Sequence, residues 1–114
     1  MIVIAGPAPV FARRRELDLA LLARALGHPA RVRIVRLLLG RESCFCGQIV
    51  DELPLAQATV SEHLRVLKEA GLVTGETDGP RTCYCADTAR LVELHDLVGQ
   101  LLAEATDVDT SGCD

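Results

Sequence analysis

The chain contains no tryptophan, and aromatic residues make up only 3% of its 114 positions. Its core must therefore be assembled from Leu, Val, Ile and Ala, which suits packed helices better than a β-sandwich. No stretch approaches the ~18 consecutive apolar residues that would span a bilayer, so no membrane segment is expected. The apolar opening Met1-Ile2-Val3-Ile4-Ala5 is followed by Arg13-Arg14-Arg15, the reverse of a secretory signal. A cytoplasmic protein with reduced thiols is the expectation, and an odd count of 5 cysteines is a poor basis for a secreted disulfide framework. Basic residues are missing from positions 91–114, where six acids stand, while all 12 Lys and Arg fall in residues 1–90 beside 10 acids. The net charge of −4 argues at first against a nucleic-acid partner. The uneven distribution still leaves the body free to present a basic face, with the acidic tail turned away from a polyanion. There is no C-x-x-C, phosphate-binding glycine loop, Ser/His/Asp order or paired-carboxylate pocket, so no enzyme class is supported.

What is present is a 49% hydrophobic chain long enough for one modest core, with dimerisation a natural way to bury more. Residues 1–16, punctuated by Pro and Gly at their start, read as a flexible arm. Helical spacing predicts a helix over 17–26, ended by Gly27, and a second over about 30–39 with Pro29 at its first turn. That second helix is expected to bury Val32, Ile34, Val35, Leu37 and Leu38 beneath Arg31, Arg33 and Arg36. Residues 43–46 suit a short strand, and 47–53 a short helix stopped by Pro54. A longer helix over 57–70 carries the apolar stripe Val60, Leu64, Leu67, with Gly71 placed to cap its end. Strands over 72–77 and 81–86 flank the turn signal Asp78-Gly79-Pro80, a last helix spans 88–105, and 106–114 is an acidic tail. The result is a mainly α winged helix-turn-helix with a small β-hairpin wing, occupying 17–105 and expected to be a homodimer.

In such a unit the second helix of the motif enters the major groove. The buried stripe of the 57–70 helix leaves Gln57, Ala58, Thr59, Ser61, Glu62 and Arg65 facing out as candidate DNA contacts, and Arg81 on the wing is placed for backbone phosphate. Three blocks then carry a resemblance. They are Leu26-Gly27-His28-Pro29-Ala30-Arg31-Val32-Arg33-Ile34, Gln57-Ala58-Thr59-Val60-Ser61-Glu62-His63-Leu64-Arg65-Val66-Leu67 and Glu69-Ala70-Gly71-Leu72-Val73. In order and spacing this resembles the ArsR/SmtB family of metal-responsive repressors. The resemblance implies a homodimer, joined through residues 17–26 and 88–105, that binds palindromic operator DNA and leaves it when an inducer binds. Ala56 departs from the serine often found ahead of the recognition helix, and Ala58 and Glu62 stand where relatives more often carry polar or basic contacts. His28 and His63 read as structural.

Four of the cysteines form two C-x-C pairs, Cys44-Phe45-Cys46 and Cys83-Tyr84-Cys85. The first pair falls where the arsenic-sensing branch of the family places its C-x-C. Thiolates select soft ions such as As(III), Sb(III), Cd(II) and Pb(II), and trivalent arsenic takes three sulfurs. Geometry supplies the third: if residues 43–46 pair with the wing, Cys83 and Cys85 project together from the neighbouring strand. A metal site of Cys44, Cys46, Cys83 and Cys85 is expected, with Cys113 a bystander in the tail. The last helix offers only His95 among acids, which does not match the Asp/His zinc sites of relatives. The same thiols leave open a redox-sensing repressor, with a disulfide between the pairs as the switch.

Overall fold

The computed structural model describes residues 11–41, 44–46, 49–78 and 81–105, with Cys46, Val50, Asp78 and Arg81 described by their backbone. Helix α1, Arg14–Ala25, opens three residues before the expected 17. The reason is local: the Glu16 carboxylate accepts the Arg13 N–H at 2.7 Å, satisfying a donor that would otherwise be orphaned at the first turn. Helix α2, Pro29–Leu39, starts after His28, whose Nδ1 accepts the Ala30 N–H at 3.1 Å. Ile34, Val35 and Leu38 are buried as expected, but Val32 is 39% exposed. At 100° per residue those three centre on one face, and Val32 and Leu39, seven positions apart, lie together on its flank, about 100° round the helix.

The short strand β1 is Phe45–Cys46. A single 3-10 turn, Ile49–Glu52, stands where a helix over 47–53 was expected, with 47 and 48 outside the described residues. Ile49 and Leu53 bury their side chains, and Pro54 prevents further helix. Helix α3, Gln57–Glu69, buries Val60, His63, Leu64 and Leu67. Its N-cap is Ala56, which makes no side-chain capping bond. Ala56→Ser should therefore stabilise the protein by about 0.5 to 1 kcal/mol in urea titration, by supplying the missing acceptor.

Gly71 ends α3 with φ +81°, the left-handed turn that its lack of a Cβ permits. The carbonyl of Ala70 is taken by Arg90 Nε at 2.9 Å, which ties this end of α3 to the last helix. Strands β2, Val73–Asp78, and β3, Arg81–Ala86, form the hairpin in register from Val73↔Ala86 to Asp78↔Arg81. β1 adds to the free edge of β3, giving the antiparallel order β1-β3-β2. Helix α4, Thr88–Glu104, is capped by Asp87 and packs on α1. Leu22, Ile34, Leu67, Leu72 and Val73 are the most completely buried side chains, so the core lies where α1, α2 and α3 meet the root of the wing. Leu91, Leu94 and Leu97 cover one side of it from α4. The architecture is a winged helix-turn-helix with an additional helix at each end.

Candidate nucleic-acid interface and cysteine site

The face of α3 opposite its buried stripe carries Gln57, Ala58, Thr59, Ser61, Glu62 and Arg65, all exposed. These are the sequence-predicted DNA residues on one helix face. Arg65 is already engaged there. Its Nε donates to Glu62 Oε1 at 3.0 Å, its Nη2 to Glu62 Oε2, and its Nη1 to Glu69. The hydrogen bond to Arg65 holds the Glu62 carboxyl below its usual range, and Glu62 followed by Glu69 hold the guanidinium protonated. The exposed face is therefore close to charge-neutral. A phosphate or guanine approaching Arg65 must compete with a carboxylate. Arg81 begins β3 opposite Asp78 at the tip of the described wing, and its side chain lies outside the described residues.

His63, read from the sequence as structural, lies on the buried side of α3. It is only 7% exposed, and its Nδ1 accepts from Arg31 Nε at 3.1 Å. Its ring lies 4.4 Å from that of His28. Burial first, then the charges of His28 and Arg31, hold the imidazole below its usual pKa, against a smaller opposing pull from Glu62. The signal available in the sequence was the shared spacing of His63 with Val60 and Leu67 on the stripe.

The two C-x-C segments meet. In the β1–β3 register Phe45 lies opposite Tyr84 and Cys46 opposite Cys83. Phe45 and Tyr84 both pack on the core, so the alternation of an extended chain sends the flanking positions to the other face. There Cys44 and Cys85 are joined as a disulfide, their Cα atoms 4.6 Å apart. Cys83 is likewise oxidised. Among the described residues no group of three or more His, Cys, Asp or Glu side chains is arranged as a metal site, and the side chain of Cys46 is not among those described. Cys113 also lies outside the described residues.

A surface cavity of about 220 Å³ opens beside the joined pair, lined by Leu38, Leu39, Arg41, Ala86 and Thr88 with Cys44 and Cys85 themselves. Arg41 caps the strand: its guanidinium lies 4.3 Å from the Phe45 ring and its Nη2 is 3.1 Å from Glu52 on the 3-10 turn. The cysteine site is thus tied to the segment that leads directly into α3.

A helix-turn-helix domain model matches residues 26–76. The chain is 40% identical over 94 residues to the HTH-type transcriptional regulator CmtR of Mycobacterium tuberculosis, covering 82% of this chain and 79% of that one. An NMR structure of the cadmium metal-sensor CMTR from the same organism aligns at TM-score 0.52 and 38% identity, covering 70% of this chain and 82% of that one. An ArsR-like transcriptional regulator from Rhodococcus sp. RHA1 aligns at TM-score 0.67 and 25% identity, over 77% and 82% of the two chains. A crystal structure described as a possible transcriptional regulator for arsenical resistance aligns at TM-score 0.56 and 32% identity, over 73% and 94%.

Proposed function

The chain belongs to the ArsR-like helix-turn-helix transcriptional regulators, and on that premise we propose that it is a cytoplasmic operator-binding repressor released when As(III) or Sb(III) binds its cysteine thiolates. Its relatives are regulators, not enzymes, and it is not an enzyme. The observation that carries the inducer assignment is the meeting of Cys44 and Cys85 across β1 and β3, one from each C-x-C pair. Once reduced, that junction offers two thiolates on one side of the sheet, and Cys83 and Cys46 stand two register positions along the same strands. Three sulfurs satisfy trivalent arsenic or antimony, while four suit Cd(II) or Pb(II). Relatives described as a cadmium sensor and as a possible arsenical-resistance regulator support a soft-ion inducer.

The DNA contacts in this reading are Gln57, Ala58, Thr59, Ser61, Glu62 and Arg65 from α3 and Arg81 from the wing. The protein acts as a homodimer through residues 17–26 and 88–105. Val92, Val98, Leu101 and Leu102 of α4 are between 49% and 71% exposed, an apolar surface suited to a second copy. Gathering thiolates on an ion pulls β1 against the wing, and the 3-10 turn passes the shift to α3. The two recognition helices must span about one turn of DNA, roughly 34 Å. A change in that spacing lowers affinity, with a coupling of about 1 to 3 kcal/mol in the usual allosteric range.

A second reading rests on the disulfide itself. Two thiols oxidised by peroxide lose two electrons and two protons to give the Cys44–Cys85 bond and water, and that bond joins the same two segments. Operator binding followed by fluorescence anisotropy separates the readings. Arsenite should release reduced protein from DNA, in a manner reversed by excess competing dithiol. Release by peroxide alone, reversed by reductant without metal, would favour the redox switch. No response to either sinks both.

A further inference from the structure

Arg31 is bonded to three elements at once. Its Nη1 donates to the carbonyls of Arg24 and Ala25 at 3.2 and 3.4 Å, at the C-terminal end of α1. Its Nε donates to His63 Nδ1 at 3.1 Å, on the buried side of α3, and its own backbone belongs to the first turn of α2. Beside it, His28 Nδ1 accepts the Ala30 N–H, and the His28 and His63 rings stand 4.4 Å apart. Both Nδ1 atoms act as acceptors, and for His63 this requires a free lone pair on Nδ1. None of this chemistry is used by the cysteine site.

We propose that Arg31 is a positioning residue that locks the recognition helix α3 to the end of α1 through neutral His63, and that protonating His63 releases the lock and weakens operator binding. This rests on the operator-binding reading above. The α1 carbonyls accept a cation well, since they carry the negative end of the helix dipole. His63 accepts only while its Nδ1 lone pair is free. A proton there sets N–H against N–H and a second cation against Arg31 in a part-buried site. The ionisable groups facing His63 are His28 and Arg31 from α2 and Glu62 from its own helix. The first two oppose its protonation and Glu62 favours it. Burial adds to the opposition, so the pKa lies below the usual 6.5. A depressed folded pKa means that the lock is complete above the usual histidine value and is lost as pH falls through the folded one.

The sign is diagnostic. Acid otherwise adds positive charge to a protein and on its own strengthens binding to a polyanion. Acid weakening therefore has to overcome that trend. The test uses reduced, metal-free protein and a duplex that the protein itself selects from a random-sequence pool. From about pH 7.5 to about pH 5, wild-type affinity should fall by about tenfold. His63→Gln keeps a carbonyl acceptor for Arg31 but cannot titrate, and should hold its affinity with no acid weakening. In DNA-free protein, nitrogen NMR should find the His63 proton on Nε2, with a titration midpoint below the ordinary value that moves up in Arg31→Gln. Acid weakening that persists unchanged in His63→Gln overturns the proposal, as does a His63 that protonates Nδ1 at an ordinary midpoint in both proteins. If no duplex is enriched from the pool, the operator-binding reading fails, and the NMR titration alone decides whether the Arg31–His63 lock exists.

Discussion

Leu67→Ala should remove about 3 to 4 kcal/mol of stability, within the usual range of 2 to 5 for a fully buried leucine. Leu67 has no exposed surface and sits in the core with Leu22, Ile34 and Leu72, where α3 meets α1, α2 and the wing. The loss combines the transfer energy of the missing carbons with the cavity left between elements that cannot all close on it. A domain of this size holds only about 5 to 15 kcal/mol in total, so a large share of its stability depends on one side chain. Urea titration measures the shift. Phe11→Ala, at a side chain 83% exposed and outside the proposed interface, is the control and should move stability by less than about 0.5 kcal/mol.

The second large effect concerns α4. No residue of this helix is fully buried, although it is 17 residues long and carries Val92, Val98, Leu101 and Leu102 on its exposed surface. A double variant, Val98→Glu with Leu102→Glu, places two charges in the proposed interface, where neither finds a partner and both lose hydration. Sedimentation should show a monomer with unchanged helical circular dichroism. Operator affinity should fall on the order of 100-fold, because binding of the second half-site no longer follows from the first. A dimer that survives both substitutions would place the interface elsewhere.

Much of this architecture was legible in the residues. Val60, Leu64 and Leu67 set the face of α3 and Gly71 its end, and the strands expected on either side of Asp78-Gly79-Pro80 pair as a hairpin. The alternation in Cys44-Phe45-Cys46 and Cys83-Tyr84-Cys85 also carried its meaning on the surface. An aromatic in each centre packs inward, and the register brings Cys44 to Cys85 on the other side of the sheet. What stayed hidden depended on bonds between side chains and backbone, which hydrophobic spacing does not report. The early start of α1 comes from the Glu16 carboxylate on the Arg13 N–H. The outward turn of Val32 follows from a buried face centred on Ile34, Val35 and Leu38 rather than on every apolar residue of α2. The burial of His63 depends on Arg31, thirty-two positions away, supplying the donor that makes a polar ring tolerable there.

The electrostatics of the recognition face were only half visible. Net charge located the basic residues in the body of the chain, but Arg65 is shared between Glu62 and Glu69 rather than held ready for DNA. Exposed ion pairs of this kind are screened by water and salt and contribute little, so DNA phosphate can displace them. In the proposed operator complex, their expected consequence is an α3 that attracts non-specific DNA weakly and relies on the wing and on base contacts.

The central claim is that both C-x-C pairs serve one sensor. Native mass spectrometry of the reduced protein with arsenite, run across the single Cys→Ser variants, tests it most directly. The account predicts one arsenic per chain with three thiol protons lost, binding abolished in Cys44→Ser and Cys85→Ser, and binding intact in Cys113→Ser. Arsenic binding that survives in Cys44→Ser and Cys85→Ser but disappears in Cys113→Ser would contradict it.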